Sequence, residues 1–167
     1  MKKFLLLLVA AAFPLLAVSS FAQTIKLPKD SPVVAITVPE SWKPEDTDNG
    51  FYCESPDEAA TVIFEVADAK KMDALIDQNA DWLEKEHKVE IDKSSQVKTE
   101  FESGGMKWSL VTFDGKDEVY GPATIMLAFA DTGKDQMLMV TYWVTKEGEK
   151  THAKELDGIF KSVKKVE

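Results

Sequence analysis

Met137–Val144 reads Met-Leu-Met-Val-Thr-Tyr-Trp-Val, and it constrains the fold more tightly than any other stretch of the chain. In an extended strand successive side chains point to opposite faces, so residues 137, 139, 141 and 143 share one side and 138, 140, 142 and 144 the other. Both sets are largely apolar. Such a strand needs cover on both faces, which places it inside a sheet with packed layers above and below. The segment behind it, Lys146–Val163, supplies one layer, because Ala153, Leu156, Ile159, Phe160 and Val163 recur at helical spacing. Thr145 is positioned to cap that helix, with Glu147 and Glu149 early and Lys161, Lys164 and Lys165 late, as the helix dipole favours.

The remaining elements follow from the same patterning. Val33–Val38, Gly50–Glu54 and Thr61–Ala67 read as a meander of three strands, the last a nearly continuous apolar run. Lys71–Lys88 reads as one long helix, with Met72, Leu75, Ile76, Ala80 and Leu83 on one face. Val89–Ser95 reads as a polar connection. Gln96–Glu102, Met106–Phe113 and Ala123–Ala130 read as further strands, and Asp131–Asp135 turns the last of these into Met137–Val144. The expected fold class is α+β: a single antiparallel sheet of about six to seven strands with helices on both faces, an α/β/α sandwich.

The N-terminus reads as an address. Lys2 and Lys3 precede an apolar run, Phe4–Leu16, and Ser20-Phe21-Ala22 ends in a small residue, so residues 1–22 are expected to be a bacterial Sec signal peptide cleaved after Ala22. The run is short for a membrane span and no basic stop-transfer cluster follows, so no stable membrane anchor is expected. The mature protein is then periplasmic or secreted. Residues 23–32 read as a flexible arm, and 33–167 as one domain.

Without Lys2 and Lys3, 18 lysines face 29 acids, a net charge of −11, and there is no arginine. Nucleic acid is therefore not an expected partner, since it calls for a basic footprint. Another envelope protein, possibly basic, is the expected one. Cys53 is the single cysteine; alternating with Phe51, it reads as a small buried strand residue.

Val38-Pro39-Glu40-Ser41-Trp42 closes the first strand, Ser55-Pro56-Asp57 turns into the third, and Leu156-Asp157-Gly158-Ile159-Phe160-Lys161-Ser162-Val163 ends the last helix. In these segments and in element order the chain resembles the PsbP-like superfamily. That fold is shared with a yeast Ran-binding nuclear-import factor and with small bacterial exported proteins of unknown function. The resemblance implies an α/β/α sandwich whose members mostly bind other proteins.

Catalytic signatures are sparse. There is no nucleophile elbow, phosphate-binding loop or zinc-protease helix. No metal site is expected: Cys53, His87 and His152 are too few for structural zinc. Glu45–Gly50 fails as a calcium loop, because Pro56 falls where a bidentate glutamate is required. No cofactor is expected. Asn79 interrupts the apolar helix face, either bonded to a polar neighbour or facing a ligand. His152 borders the buried stripe near a helix N-terminus, where the neutral form is favoured. It either covers apolar surface or pairs with a carboxylate as a general base.

These residues leave three functions open: an exported non-catalytic protein-binding or accessory module of the bacterial envelope, a carrier of a small apolar ligand, or a hydrolase or isomerase using His152. For the first, the expected partner surface is Trp42 beside an acidic rim of Glu45, Asp46 and Asp48, with Tyr52 a few residues on.

Overall fold

The computed structural model describes residues 22–133 and 135–166; apart from Ala22, the expected signal segment lies outside them. In chain order the elements are β1 (Ala22–Leu27), β2 (Val34–Pro39), β3 (Glu45–Asp46), β4 (Gly50–Glu54), β5 (Ala60–Asp68), α1 (Met72–Asp81), β6 (Val89–Ser103), β7 (Met106–Asp117), β8 (Gly121–Gly133), β9 (Gln136–Thr145), α2 (Lys146–Thr151), α3 (Ala153–Ser162) and β10 (Lys164–Lys165).

Seven strands form one antiparallel sheet in the order β3-β4-β5-β9-β8-β7-β6. Strand β9 occupies its centre, as its two apolar faces require. Leu138, Val140, Tyr142 and Val144 point to one side. There they pack with Val62 and Phe64 of β5, Leu156 and Ile159 of α3, and Val34, Ile36 and Val38 of β2. Met139 points to the other side, against Met72 and Leu75 of α1. Trp143 clusters there with Leu83 and Ile125. Helices therefore cover both faces, and the fold is α+β as expected.

The sheet is not single, however. Val33–Val38 does not open the main meander. Its core, β2, is the middle strand of a second, three-stranded sheet of order β1-β2-β10. Alternation fixes which side chains share a face but not which strand lies alongside. Strand β2 is buried on nearly its whole length, so it has to lie between layers, and there it meets α3. The segment 23–32 is likewise not a free arm throughout. Residues 22–27 pair along all of β2, from Ala22 opposite Pro39 to Leu27 opposite Val34, and Leu27 is buried.

Both long helices are interrupted. Met72–Asp81 is α-helical, and the backbone then widens into a π turn over Trp82–Glu86. Lys146–Val163 breaks at His152, which ends α2 and starts α3. Thr145 caps α2 as expected, its hydroxyl accepting the Gly148 N–H at 2.9 Å. Glycine is required at 148, because a Cβ there would lie 2.6 Å from the Ala59 carbonyl oxygen. The polar connection at 89–95 belongs to β6, with a register shift between Asp92 and Val97.

Candidate functional site

Strand β5 carries one charged residue in its interior, Glu65; its other internal polar residue is Thr61. Ile63, Glu65 and Ala67 alternate toward α1, so Glu65 carries a carboxylate into the layer between sheet and helix, where it is only 4% exposed. Its partner comes from α1. Asn79 Nδ2 donates to Glu65 Oε2 at 2.8 Å and to Thr141 Oγ1 of β9 at 2.9 Å. A carboxylate can only accept, so the amide nitrogen is the atom that has to face it. The polar interruption of the helix face at Asn79 is thus answered by hydrogen bonds to neighbours. Burial still dominates: it pushes the Glu65 carboxyl above its ordinary value, opposed by the single Asn79 bond. Among the described residues, no hydrogen bond reaches Glu65 Oε1.

Glu65 lies in the wall of a cleft of about 440 Å³. On one side are β4 and β5, whose Tyr52, Glu54 and Ile63 point the same way. The end of α1 and the π turn supply Asn79 and Trp82 opposite, and His87 follows. The His87 ring lies 4.0 Å from that of Trp82. Thr47 and Asp48 line it from the β3–β4 turn, with Thr47 Oγ1 buried and unbonded among the described residues. The glycine opposite Glu65 belongs to the same construction: at Gly50 a Cβ would fall 1.8 Å from the Phe64 carbonyl oxygen. Asp48, Glu54 and Glu65 give the cleft three carboxylates, and among the described residues no lysine lines it.

The surface expected from sequence is only partly assembled here. Asp48 and Tyr52 line the cleft. Glu45 sits behind them, accepting the Tyr52 hydroxyl at 2.8 Å. That bond first, then burial, then the charges of Glu45 and Glu54 raise the Tyr52 pKa. Asp46 turns away and pairs with Lys29. Trp42 is not an exposed anchor. It is completely buried in the core on the opposite face of the sheet, because a 3-10 turn, Glu40–Trp42, folds its ring inward. Glu65, the most buried carboxylate of the cleft, lies within a run whose sequence is nearly all apolar. Its signal is that single charge between Phe64 and Val66.

The expected neutral His152 is overturned. Its Nε2 lies 2.8 Å from Asp57 Oδ1 and its Nδ1 lies 2.7 Å from Glu155 Oε2. The Trp42 ring meets it edge-on, with centroids 5.6 Å apart. Burial pushes the imidazole pKa down, but the bonds to Glu155 and Asp57 outweigh this and leave it above the ordinary value. Burial pushes the Asp57 carboxyl up, yet its bonds from Ser55 and His152 leave it below the usual range. With a carboxylate on each ring nitrogen, the imidazolium has no lone pair left to take a proton. Cys53 is fully buried as expected, and burial pushes its thiol up to about 12.

This arrangement of two sheets and flanking helices is a PsbP-like fold. The chain is similar to the cyanobacterial PsbP protein of Synechocystis sp., with a TM-score of 0.58 and 6% identity over 88% of this chain and 94% of that one. It is similar also to LpqN, involved in cell envelope biogenesis of Mycobacterium tuberculosis, with a TM-score of 0.54 and 11% identity over 87% and 92% of the two chains. No family model and no curated protein matches the sequence. Among the described residues, no helix is long and apolar enough to cross a membrane.

Proposed function

We propose that this protein is an exported, non-catalytic accessory module of the bacterial envelope that binds a basic partner protein at the β3–β4–β5 edge of its main sheet. The observation that carries this reading is the cleft at that edge, lined by Asp48, Glu54 and Glu65 with no lysine among the described residues that line it. Carboxylates gathered without cations attract positive charge and repel anionic partners, and rim charges act chiefly on association rate and specificity. The Lys2–Ala22 pattern supports export, and the LpqN likeness agrees with an envelope setting. A catalytic role for His152 is disfavoured because both ring nitrogens are held by carboxylates.

Cross-linked capture from native envelopes, with cell fractionation alongside, tests the reading. A basic protein should be recovered from the periplasmic or secreted fraction, should be released by salt, and should be lost in a variant carrying Asp48→Asn with Glu54→Gln. Capture unaffected by salt and by that variant would refute it. The apolar-carrier alternative keeps one observation in its favour, a groove of about 220 Å³ lined by Phe101, Trp108, Leu110, Met126 and Phe160. Lipid recovered with the purified protein, displaced by Leu110→Glu, would favour that alternative.

A further inference from the structure

We infer that the cleft beside α1 takes an organic ammonium group, with the Glu65 carboxylate as its counter-ion. This rests on the binding reading above and names the chemistry recognised. Glu65 is 4% exposed, lines the cleft and has Oε1 free of hydrogen bonds among the described residues. Oε1 is not among the buried unbonded atoms and so opens onto the cleft, where a cation can reach it and offset the cost of holding a charge in a mostly buried side chain. The walls suit a cation with an organic body. Tyr52 and Trp82 line the same cleft, and aromatic faces attract ammonium groups, more strongly where water is excluded. Asp48 and Glu54, which line the same cleft, add to its negative field.

The same geometry sorts among cations. A guanidinium binds a carboxylate best through two parallel bonds to both oxygens. Here Oε2 already accepts from Asn79 at 2.8 Å, so a guanidinium fork has to share that oxygen while an ammonium needs only Oε1, which suits a point charge. A metal ion needs several converging ligands. Among the described residues, no three His, Cys, Asp or Glu side chains converge to hold one. An anion would meet three carboxylates. A neutral guest would leave the Glu65 charge uncompensated.

The test is a titration of the isotope-labelled protein, followed by amide and indole NMR shifts at constant ionic strength. The ammonium probes are n-butylammonium, tetramethylammonium and Nα-acetyl-lysine methylamide. Guanidinium, sodium and tert-butanol serve as comparators. The expected result is saturable shifts at Tyr52, Glu65, Asn79 and Trp82 with the ammonium probes, and affinity at least several-fold weaker for guanidinium. Glu65→Gln, which retains an acceptor for Asn79, should weaken binding by about tenfold or more. Saturation by the blocked lysine supports a partner's side chain as the source of the ammonium. Saturation by the free amines alone supports a small metabolite.

Equal binding of guanidinium and butylammonium, or shifts reproduced by sodium, would overturn the inference, and neither result depends on the variant folding. Unchanged binding by a folded Glu65→Gln protein would overturn it too. If a basic protein is captured through Asp48 and Glu54 while no ammonium probe binds, this inference fails and the binding-module reading stands. If the ammonium probes bind and no partner is captured, the protein-partner reading fails and the site stands.

Discussion

Replacing Trp42 separates a core role from a surface role. Its ring is completely buried among the residues between the two sheets and meets the His152 imidazole edge-on. Truncation of a buried tryptophan to alanine costs about 3–5 kcal/mol through lost transfer energy and the cavity left behind. One feature lowers that figure: the Trp42 indole N–H is buried without a partner among the described residues, and an unmet donor carries a penalty of about 1–3 kcal/mol that truncation removes. With that penalty taken at its low end, about 1 kcal/mol, Trp42→Ala is expected to lose about 2–4 kcal/mol, a large part of the roughly 5–15 kcal/mol that holds a domain together. Trp42→Phe removes the orphan donor while keeping most of the ring, and should stay within about 1.5 kcal/mol of the parent. Urea unfolding followed by circular dichroism gives both numbers, and an unchanged m-value confirms that the denatured state is comparable. A loss below about 0.5 kcal/mol for Trp42→Ala, the size of a surface substitution, would refute the packing described here.

Four further outcomes are expected. The folded pKa of His152 is raised above 6.5, so its charge stabilises the protein fully below that value and the contribution is lost as pH rises through the folded pKa. Urea midpoints taken between about pH 5.5 and pH 8.5 should fall more in the parent than in His152→Gln. Glu65 is raised above 4.5 by burial, so stability declines as pH rises from there through its folded value, and Glu65→Gln should flatten that decline in the same assay. Leu156 is buried against the sheet, and Leu156→Ala should cost about 2–5 kcal/mol in urea, whereas Phe160, half-exposed with its ring 5.7 Å from that of Tyr142, should cost less. Ellman's reagent should leave Cys53 unmodified until the protein unfolds; rapid modification of the native state would contradict its burial.

What could be read in advance depended on how local the controlling physics was. The central position of Met137–Val144, the Thr145 cap and the Leu156–Ile159 stripe all follow from side-chain period and neighbouring residues, and all are present. The neighbours of β2 did not follow, because its apolar run suits the middle of either sheet. His152 shows the same limit electrostatically. The local rule, a helix N-terminus, predicts a neutral ring, but Asp57, 95 residues earlier, reverses it together with Glu155. The candidate site was legible in fragments. Asn79 stood out as a polar break and the 45–52 stretch as an acidic rim with an aromatic. What joined them, the Asn79 amide bonded to Glu65 14 residues earlier and to Thr141 62 residues later, has no sequence signature.

The second sheet also bears on the order in which the chain can assemble. Strand β2 is bordered by β1 on one edge and by β10 on the other, and Val166 donates to the Val33 carbonyl at 2.8 Å. Ser162 Oγ accepts the Thr37 N–H at 2.8 Å, closing a loop of 125 residues. Pairings this distant require a large loss of chain entropy before any contact rewards it, so they form late and slowly. Until α3 and β10 arrive, Val34, Ile36 and Val38 remain without their cover. An incompletely synthesised chain, or one truncated before residue 153, would thus present an adhesive apolar ribbon, and such a species is the one on which a holding chaperone would act.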